Sequence, residues 1–188
     1  MSAHLYILTG ASRGMGLAMA RQLLQPGHSL ICISRQANAE LAQAARQAEV
    51  SLAQWTLDLA DGEAASDRLR GWLKAQPAGQ WQQATLINNA AMIPRISALS
   101  QAHPHELATV LRVGLEAPMQ LCAAFLGATE AWGVPRRVLN ISSGLGRKAM
   151  ASQSAYCAIK AGMDHFTRCL AKKSSSPRAP KSAPWHPA

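Results

Sequence analysis

Residues 9–16 read Thr9-Gly10-Ala11-Ser12-Arg13-Gly14-Met15-Gly16, and this stretch decides the fold of the chain. A short apolar run, residues 5–9, leads into it, and a segment of helical period, residues 15–25, follows at once. Glycines between a strand and a helix permit a tight turn, a close approach of the backbone to a phosphate group, and close packing of the helix on the strand. Because the spacing G-x-x-x-G-x-G is not the commoner dinucleotide fingerprint, a glycine-rich turn without a ligand is the alternative.

Short β-type runs alternate with longer stretches of helical period along most of the chain, which predicts βαβ units and a parallel sheet. Several runs are apolar on both faces, as expected of strands that helices cover on each side. We therefore predict an α/β fold of Rossmann type, with a doubly wound parallel sheet as the middle of three layers. The predicted strands are residues 5–9, 29–34, 52–57, 85–89 and 137–141, and the predicted helices are residues 15–25, 39–48, 63–75, 105–113, 118–132 and 154–172.

Composition indicates a globular protein with one main domain, since 48% of the 188 residues are apolar and 15% are charged. The net charge of +9 comes partly from four cations near the C-terminus, Lys172, Lys173, Arg178 and Lys181. No basic run is interleaved with aromatic residues, so we expect no nucleic-acid partner. From residue 173 the sequence is rich in serine and proline, which predicts a domain over residues 1–172 and a disordered basic tail over residues 173–188.

Cysteine usage and hydropathy indicate a cytoplasmic protein. The four cysteines have no C-x-x-C spacing, and three lie in apolar stretches, so we expect reduced, packed thiols and neither a disulfide framework nor a metal site. No signal-type segment opens the chain, and we expect no membrane span. The cysteines are Cys32, Cys122, Cys157 and Cys169.

The end of the second predicted strand indicates which dinucleotide the chain would prefer. An NAD-selective site places a carboxylate there, about twenty residues after the glycine turn, to bind the ribose 2′-hydroxyl. This chain has Ser34-Arg35 instead, and a guanidinium without an acid favours the 2′-phosphate of NADP. Arg13, inside the glycine turn, would add a second positive group. The alternative for both arginines is a solvated surface charge.

A tyrosine and a lysine in the last predicted helix form a candidate proton donor. Tyr156 and Lys160 stand at i and i+4, so they share one face of the helix. A nearby ammonium stabilises the phenolate and lowers the pKa of the tyrosine from its ordinary value near 10, which makes it a usable acid. A half-buried packing tyrosine is the alternative. The glycine turn and Ser143, which follows the fifth predicted strand, favour the catalytic interpretation because they occur in the right order.

Five motifs in order resemble the short-chain dehydrogenase/reductase (SDR) superfamily over residues 3–171, and within it the sepiapterin reductase and benzil reductase branch. The resemblance implies reduction of a ketone or dicarbonyl with NADPH, and assembly as a homodimer or homotetramer through the two long helices. The motifs are Thr9 to Gly16, Asp58-Leu59, Asn88-Asn89-Ala90-Ala91, Asn140-Ile141-Ser142-Ser143-Gly144, and Tyr156-Cys157-Ala158-Ile159-Lys160-Ala161-Gly162.

Roles follow from the resemblance residue by residue. Ser143 would orient the substrate carbonyl, Tyr156 would donate the proton, and Lys160 would hold the nicotinamide ribose and depress the tyrosine pKa. Asp58 and Leu59 would border the adenine, while Asn88 to Ala90 would support the sheet and the cofactor ribose. The predicted cofactor-binding residues are Gly10, Ser12, Arg13, Gly14, Met15, Gly16, Ser34, Arg35, Asp58, Leu59, Asn89, Ala90, Tyr156 and Lys160.

The sequence departs from the family pattern at two places. The family has an asparagine in a V-N-L-like string before the fifth strand, where it holds a water that relays protons to the lysine, and this chain has Val113-Gly114-Leu115. The family also continues past the tyrosine-lysine helix into further strands, which the tail replaces here. We therefore expect a sheet that lacks the last strands of the family, an open apolar edge at the fifth strand, and a frameshifted or truncated reading frame.

Two functions are compatible with these observations. The first is an NADPH-dependent carbonyl reductase that uses Tyr156 as the proton donor. The second is a truncated, catalytically inactive remnant that binds the nucleotide, and Gly114 and the replaced C-terminal part favour it.

Overall fold

The computed structural model describes residues 3–77 and 79–172. The expected disordered tail, residues 173–188, lies outside the described part. The strands are β1 (His4–Thr9), β2 (His28–Ser34), β3 (Ser51–Thr56), β4 (Gln83–Asn88) and β5 (Arg136–Asn140). The helices are α1 (Gly14–Gln22), α2 (Ala39–Gln47), α3 (Gly62–Lys74), α4 (Pro104–Leu111), α5 (Ala117–Ala128) and α6 (Ser154–Ala171).

The five strands form one parallel sheet in the order β3-β2-β1-β4-β5. The chain builds outward from β1 to β3 and then returns to place β4 on the other side of β1. The strand order therefore reverses between β1 and β4, and in open α/β sheets ligands bind in the crevice at this switch point. The loops after β1 and β4 meet there, so the glycine turn and Asn89 become neighbours. The predicted doubly wound parallel sheet is confirmed.

Alternating side chains of β1 enter two separate cores, one on each face of the sheet. Leu5 and Ile7 pack with the apolar side chains of α3 and α5, whereas Leu8 packs with those of α1 and α2. All three side chains are at most 1% exposed, and burial of such a side chain contributes about 1.5–3 kcal/mol. Helices thus cover both faces, which confirms the three-layer prediction.

The region between β4 and β5 differs from the two helices that the sequence predicts there. A π-helical turn, Arg112–Glu116, joins α4 to α5, and α5 ends at Ala128 rather than at residue 132. The π turn has a local cause, because Pro118 has no N–H to donate to the carbonyl of Gly114. The Thr129 hydroxyl donates to the carbonyl of Phe125 at 2.7 Å at the end of α5, and a 3-10 turn, Glu130–Trp132, follows.

Pro104–Trp132 is also long and apolar enough to cross a membrane by length and composition alone, although the sequence analysis expects no such segment. The core helix of a globular domain passes the same test. In its most apolar window 44% of the residues are buried inside the protein, and Leu121 and Phe125 are fully buried against the sheet. Packing in the core explains the apolar character of this segment.

Candidate functional site

A cavity of about 1190 Å³ lies at the carboxyl ends of the strands, around the switch point. It exceeds the usual range for small-molecule pockets, roughly 300–1,000 Å³, so it has room for a dinucleotide. Every predicted cofactor-binding residue except Lys160 lines it. The lining residues that the sequence analysis did not single out are Ile33, Gln36, Leu57, Ala91, Met92, Ile93, Thr109 and Val113.

The glycine turn forms the floor of this cavity, and two of its glycines are required by close approaches. Gly10 has a φ of +73°, and a Cβ there would lie 2.9 Å from the Cα of Ala90. A Cβ on Gly16 would collide with the carbonyl oxygen of Gly10. Helix α1 begins beside them at Gly14, with no side-chain cap and no acidic residue in its first turn. These features fit a pyrophosphate, which binds helix N-termini through backbone N–H groups.

Thr9 and Asn89 join the two loops of the switch point. The hydroxyl oxygen of Thr9 accepts hydrogen bonds from the N–H groups of Asn89 and Ala90, both at 3.0 Å. The amide of Asn89 donates in return to the carbonyls of Thr9 at 3.0 Å and Gly10 at 3.3 Å. Thr9 is not among the predicted cofactor-binding residues. Its position at the end of β1, directly before the glycine turn, could have indicated its role.

The end of β2 and the glycine turn each bring one guanidinium group to the cavity. The Ser34 hydroxyl accepts a hydrogen bond from the N–H of Ala11 at 2.8 Å, which ties this strand end to the glycine turn. Arg35 and Arg13 line the cavity, and both are exposed. Neither makes a side-chain hydrogen bond or an ion pair within residues 3–77 and 79–172. Neither guanidinium is therefore neutralised by direct contact with a carboxylate in the described part of the chain.

Asp58 and Leu59 line the cavity from the loop after β3. Asp58 is exposed, and its carboxylate accepts a hydrogen bond from the N–H of Ala60 at 2.9 Å. Leu59 is 5% exposed and packs into the core. The Asp58 carboxylate therefore stabilises the turn in which it lies. The end of β2 presents Arg35 to the cavity and no acidic side chain.

Helix α6 carries the candidate proton donor. Tyr156 is half-buried and lines the cavity, whereas Lys160 is 5% exposed and lies behind it, with Nζ 5.7 Å from the centre of the Tyr156 ring. The Nζ donates to the carbonyl of Ile141 at 2.7 Å. Burial lowers the pKa of Lys160 below its ordinary value, and the carboxylate of Asp164 partly opposes this effect.

Ser143 follows β5 and stands outside the residues that line the cavity. Its hydroxyl oxygen accepts a hydrogen bond from the N–H of Leu145 at 3.2 Å, at the start of a 3-10 turn, Gly144–Gly146. Since that bond uses only the oxygen, the hydroxyl hydrogen is available to a substrate.

Gly114 lies in the π turn and is buried. A Cβ there would collide with Cδ1 of Ile159, which is fully buried on α6 between Tyr156 and Lys160. The isoleucine therefore fills the space that a side chain at residue 114 would need. The asparagine that the resemblance leads one to expect at this position would require the Cδ1 atom of Ile159 to move.

Comparison with known proteins identifies the family. A family model described as short chain dehydrogenase matches residues 4–178. The chain belongs to the short-chain dehydrogenase family. The predicted family is confirmed, and its motifs account for most of the cavity lining described above.

Two characterised relatives match the branch that the sequence resembles. Benzil reductase ((S)-benzoin forming) from Bacillus cereus is 35% identical over 165 residues, which cover 88% of this chain and 66% of the relative. Sepiapterin reductase from Xenopus tropicalis is 31% identical, covering 96% of this chain and 72% of the relative. The match to the benzil reductase thus spans about two thirds of the relative's length.

Solved structures of this family share the fold. A short-chain dehydrogenase/reductase from Burkholderia vietnamiensis has a TM-score of 0.80 at 35% identity, with 89% of this chain and 78% of that chain covered. A metagenomic short-chain oxidoreductase in complex with NADP has a TM-score of 0.78 at 29% identity, covering 90% and 75%. A 3-oxoacyl-[acyl-carrier protein] reductase from Brucella melitensis in complex with NAD has 0.78 at 25%, covering 90% and 67%. Both nicotinamide cofactors occur among these neighbours.

Proposed function

We propose that this chain is an NADPH-dependent short-chain oxidoreductase that reduces a ketone or dicarbonyl by hydride transfer, with Tyr156 as the proton donor. The observation that carries the proposal is that Arg35 and Tyr156 line one cavity together with the glycine turn. A charged group for the 2′-phosphate and an acid for the substrate are therefore available at the same site. The relatives named above are reductases, which supports the reaction class.

The choice of NADPH rests on charge. Arg35 stands where an NAD-selective member carries a carboxylate, and Arg13 adds a second cation at the glycine turn. A guanidinium presents several N–H donors in a planar fork that matches phosphate oxygens. Because the solved neighbours include one complex with NADP and one with NAD, the arginines and not the fold support this choice.

The residues on α6 and after β5 would complete the reaction. When bound, the reduced nicotinamide supplies the hydride, which adds to the carbonyl carbon of the substrate. Tyr156 gives its proton to the carbonyl oxygen and is left as a phenolate. The buried ammonium of Lys160, 5.7 Å from the ring centre, stabilises that anion in a medium of low dielectric constant. Ser143 donates its free hydroxyl hydrogen to the same carbonyl oxygen and orients it.

We also propose a cytoplasmic homodimer or homotetramer. The four cysteines are free thiols, and burial raises the pKa of Cys32 to about 12 and that of Cys122 to about 11, so these two are unreactive packing residues. Leu111 on α4 and Met119 on α5 are 46% and 43% exposed, which suits a contact between copies along the long helices.

A second function, nucleotide binding without catalysis, is favoured by one observation at the π turn. Gly114 has no side chain that could hold a relay water, and Ile159 fills the space beside it. The cofactor cavity does not depend on that position, and binding would persist without turnover.

One experiment tests both functions. The purified 188-residue chain is titrated with NADPH and NADH while its melting temperature is followed, and NADPH consumption is then measured with an aromatic diketone. The reductase requires stabilisation by NADPH and turnover that Tyr156→Phe abolishes while NADPH binding persists. Binding without turnover supports the second function. Full turnover in the Tyr156→Phe variant would refute the role of Tyr156, and no stabilisation by either cofactor would refute both functions.

A further inference from the structure

The loop between β2 and α2 carries Arg35, and its far end is fixed by Asn38. The Oδ1 atom of Asn38 accepts a hydrogen bond from the N–H of Leu41 at 2.8 Å, which caps α2. The Nδ2 atom donates to the carbonyl of Ser12 at 3.0 Å, twenty-six residues away in the glycine turn. One side chain therefore joins the start of α2 to the phosphate-binding turn.

A second amide fixes the backbone of Asn38 itself. Gln54 on β3 accepts a hydrogen bond from the N–H of Asn38 at 2.7 Å through Oε1, and its Nε2 donates to the carbonyl of Asn38 at 3.0 Å. This two-point pairing holds residue 38 as a neighbouring strand would. We call the three residues Ser12, Asn38 and Gln54 the Asn38 clamp.

The Asn38 clamp restrains the loop that carries Arg35. Arg35 is exposed, and its guanidinium makes no hydrogen bond or ion pair with any residue in the described ranges. Ser34 anchors one end of the loop through Ala11, and the clamp anchors the other. These two anchors fix the backbone from which the Arg35 side chain extends, and they therefore set the region near the glycine turn that its flexible side chain can reach.

Resting on the proposed function, we infer that Asn38 is a positioning residue for 2′-phosphate recognition: it fixes the Arg35 loop against the glycine turn and so sets the preference for NADPH over NADH. The chemistry of the side chain suits this role. An aspartate caps a helix as well as asparagine does but has no N–H to donate to the Ser12 carbonyl, and a serine caps with a single oxygen close to the backbone that cannot also occupy the position of Nδ2. An aspartate would also repel a phosphate.

The decisive variant is Asn38→Ser, which keeps a capping hydroxyl and removes the bond to Ser12. We expect the Kd for NADPH to rise about fivefold, the loss of one hydrogen bond, while the Kd for NADH changes less than about twofold. Glu40→Gln is the matched control: Glu40 lies in the first turn of α2 and pairs with Arg21 at the surface, so both Kd values should stay unchanged. Both constants are measured by quenching of tryptophan fluorescence.

The double variant Arg35→Ala/Asn38→Ser tests whether Asn38 acts through Arg35. If it does, Asn38→Ser has no further effect on NADPH binding once Arg35 is gone. Hydrogen exchange of the ligand-free protein gives an independent readout, since amides of residues 35–38 should exchange faster in Asn38→Ser and those of β1 should not. Gln54→Met, which leaves the cap intact, should reproduce both effects and replaces Asn38→Ser if that variant does not fold.

The outcomes separate this inference from the proposed function. If the parent chain shows no preference for NADPH over NADH, the proposed cofactor assignment fails; if it shows one that Arg35→Ala leaves unchanged, Arg35 does not set the preference and the positioning role of Asn38 falls with it. If Arg35→Ala removes the preference but Asn38→Ser and Gln54→Met do not reduce it, the positioning role alone is refuted. Equal weakening of NADPH and NADH by Asn38→Ser would also refute it, because that result indicates a general loss of structure.

Discussion

Ile159 on α6 occupies the space that a side chain at Gly114 would require, so the π turn and the helix of Tyr156 are complementary in shape. The two positions should therefore be coupled energetically. Gly114→Ala gains about 1 kcal/mol of helix propensity but overpacks a fully buried contact, which typically costs about 1–3 kcal/mol. Ile159→Val removes the Cδ1 atom that the new methyl group would meet.

We expect Gly114→Ala to lower the free energy of unfolding in the parent chain and to raise it, or leave it unchanged, in the Ile159→Val background. Urea unfolding of the four proteins measures this coupling as a double-mutant cycle. Gly127→Ala is the control, because a Cβ at Gly127 on α5 meets nothing within 4 Å and should stabilise the chain in both backgrounds. Additive effects at residues 114 and 159 would contradict the packing described above.

Thr9 and Thr85 both have buried hydroxyl groups, and the two groups differ in their hydrogen-bond partners. The Thr9 hydroxyl accepts from two backbone N–H groups of the β4 loop, whereas the Thr85 hydroxyl is buried without a hydrogen-bond partner in the described structure. Thr9→Val leaves those N–H groups unpaired and should cost about 2 kcal/mol or more, while Thr85→Val should be neutral or stabilising. Thermal and urea unfolding check both values, and equal losses for the two variants would be inconsistent with the assigned bonds.

Lys160 should make stability depend on pH in the alkaline range. Its pKa in the folded chain lies below the ordinary value of 10.5 because the ammonium is buried. Between these two values the unfolded chain holds a proton that the folded chain has released, so the contribution of Lys160 to the free energy of unfolding rises with pH. Lys160→Met removes this titration.

Urea unfolding from about pH 7 to about pH 10 compares the two proteins across the range in which such a lysine titrates. The buried thiols of Cys32 and Cys122 act in the opposite sense, because their pKa values are raised, but they are present in both proteins and cancel in the difference. The parent chain should therefore gain stability relative to Lys160→Met as pH rises. A difference that does not change with pH would show that Lys160 is not desolvated in the folded chain.

Most of the sheet was predictable from the sequence because hydrophobic periodicity is a local property. All five predicted strands occur, each displaced by one or two residues at its ends, and the glycine turn lies between β1 and α1 as predicted. Tyr156 and Lys160 lie on one face of α6, because the helix follows from local periodicity and their i, i+4 spacing then sets the face. The ends of α1 and α5 and the π turn between α4 and α5 differ from the prediction, because helix ends depend on capping and tertiary contacts that periodicity does not reveal.

The remaining features depend on contacts between residues that are distant in the sequence. Thr9 meets Asn89 across 80 positions, and Asn38 meets Ser12 across 26. Periodicity carries no information about such pairs, so the sequence indicated neither the hydrogen bonds of the Thr9 side chain nor any role for Asn38. The contact that a side chain at residue 114 would make with Ile159 is also a contact between distant residues. The importance of this glycine becomes clear only when its neighbour on α6 is known.

The residues that line the cavity come mostly from the segments before β5. Its floor and cationic wall come from residues 10–59, its far wall from residues 89–113, and only Tyr156 comes from α6. Under the proposed function, most of the residues that would bind the nucleotide and those that would act on the carbonyl come from separate segments, and Tyr156 belongs to both sets. If that function is correct, substitutions after β5 would change the reaction more than they change the affinity for the cofactor.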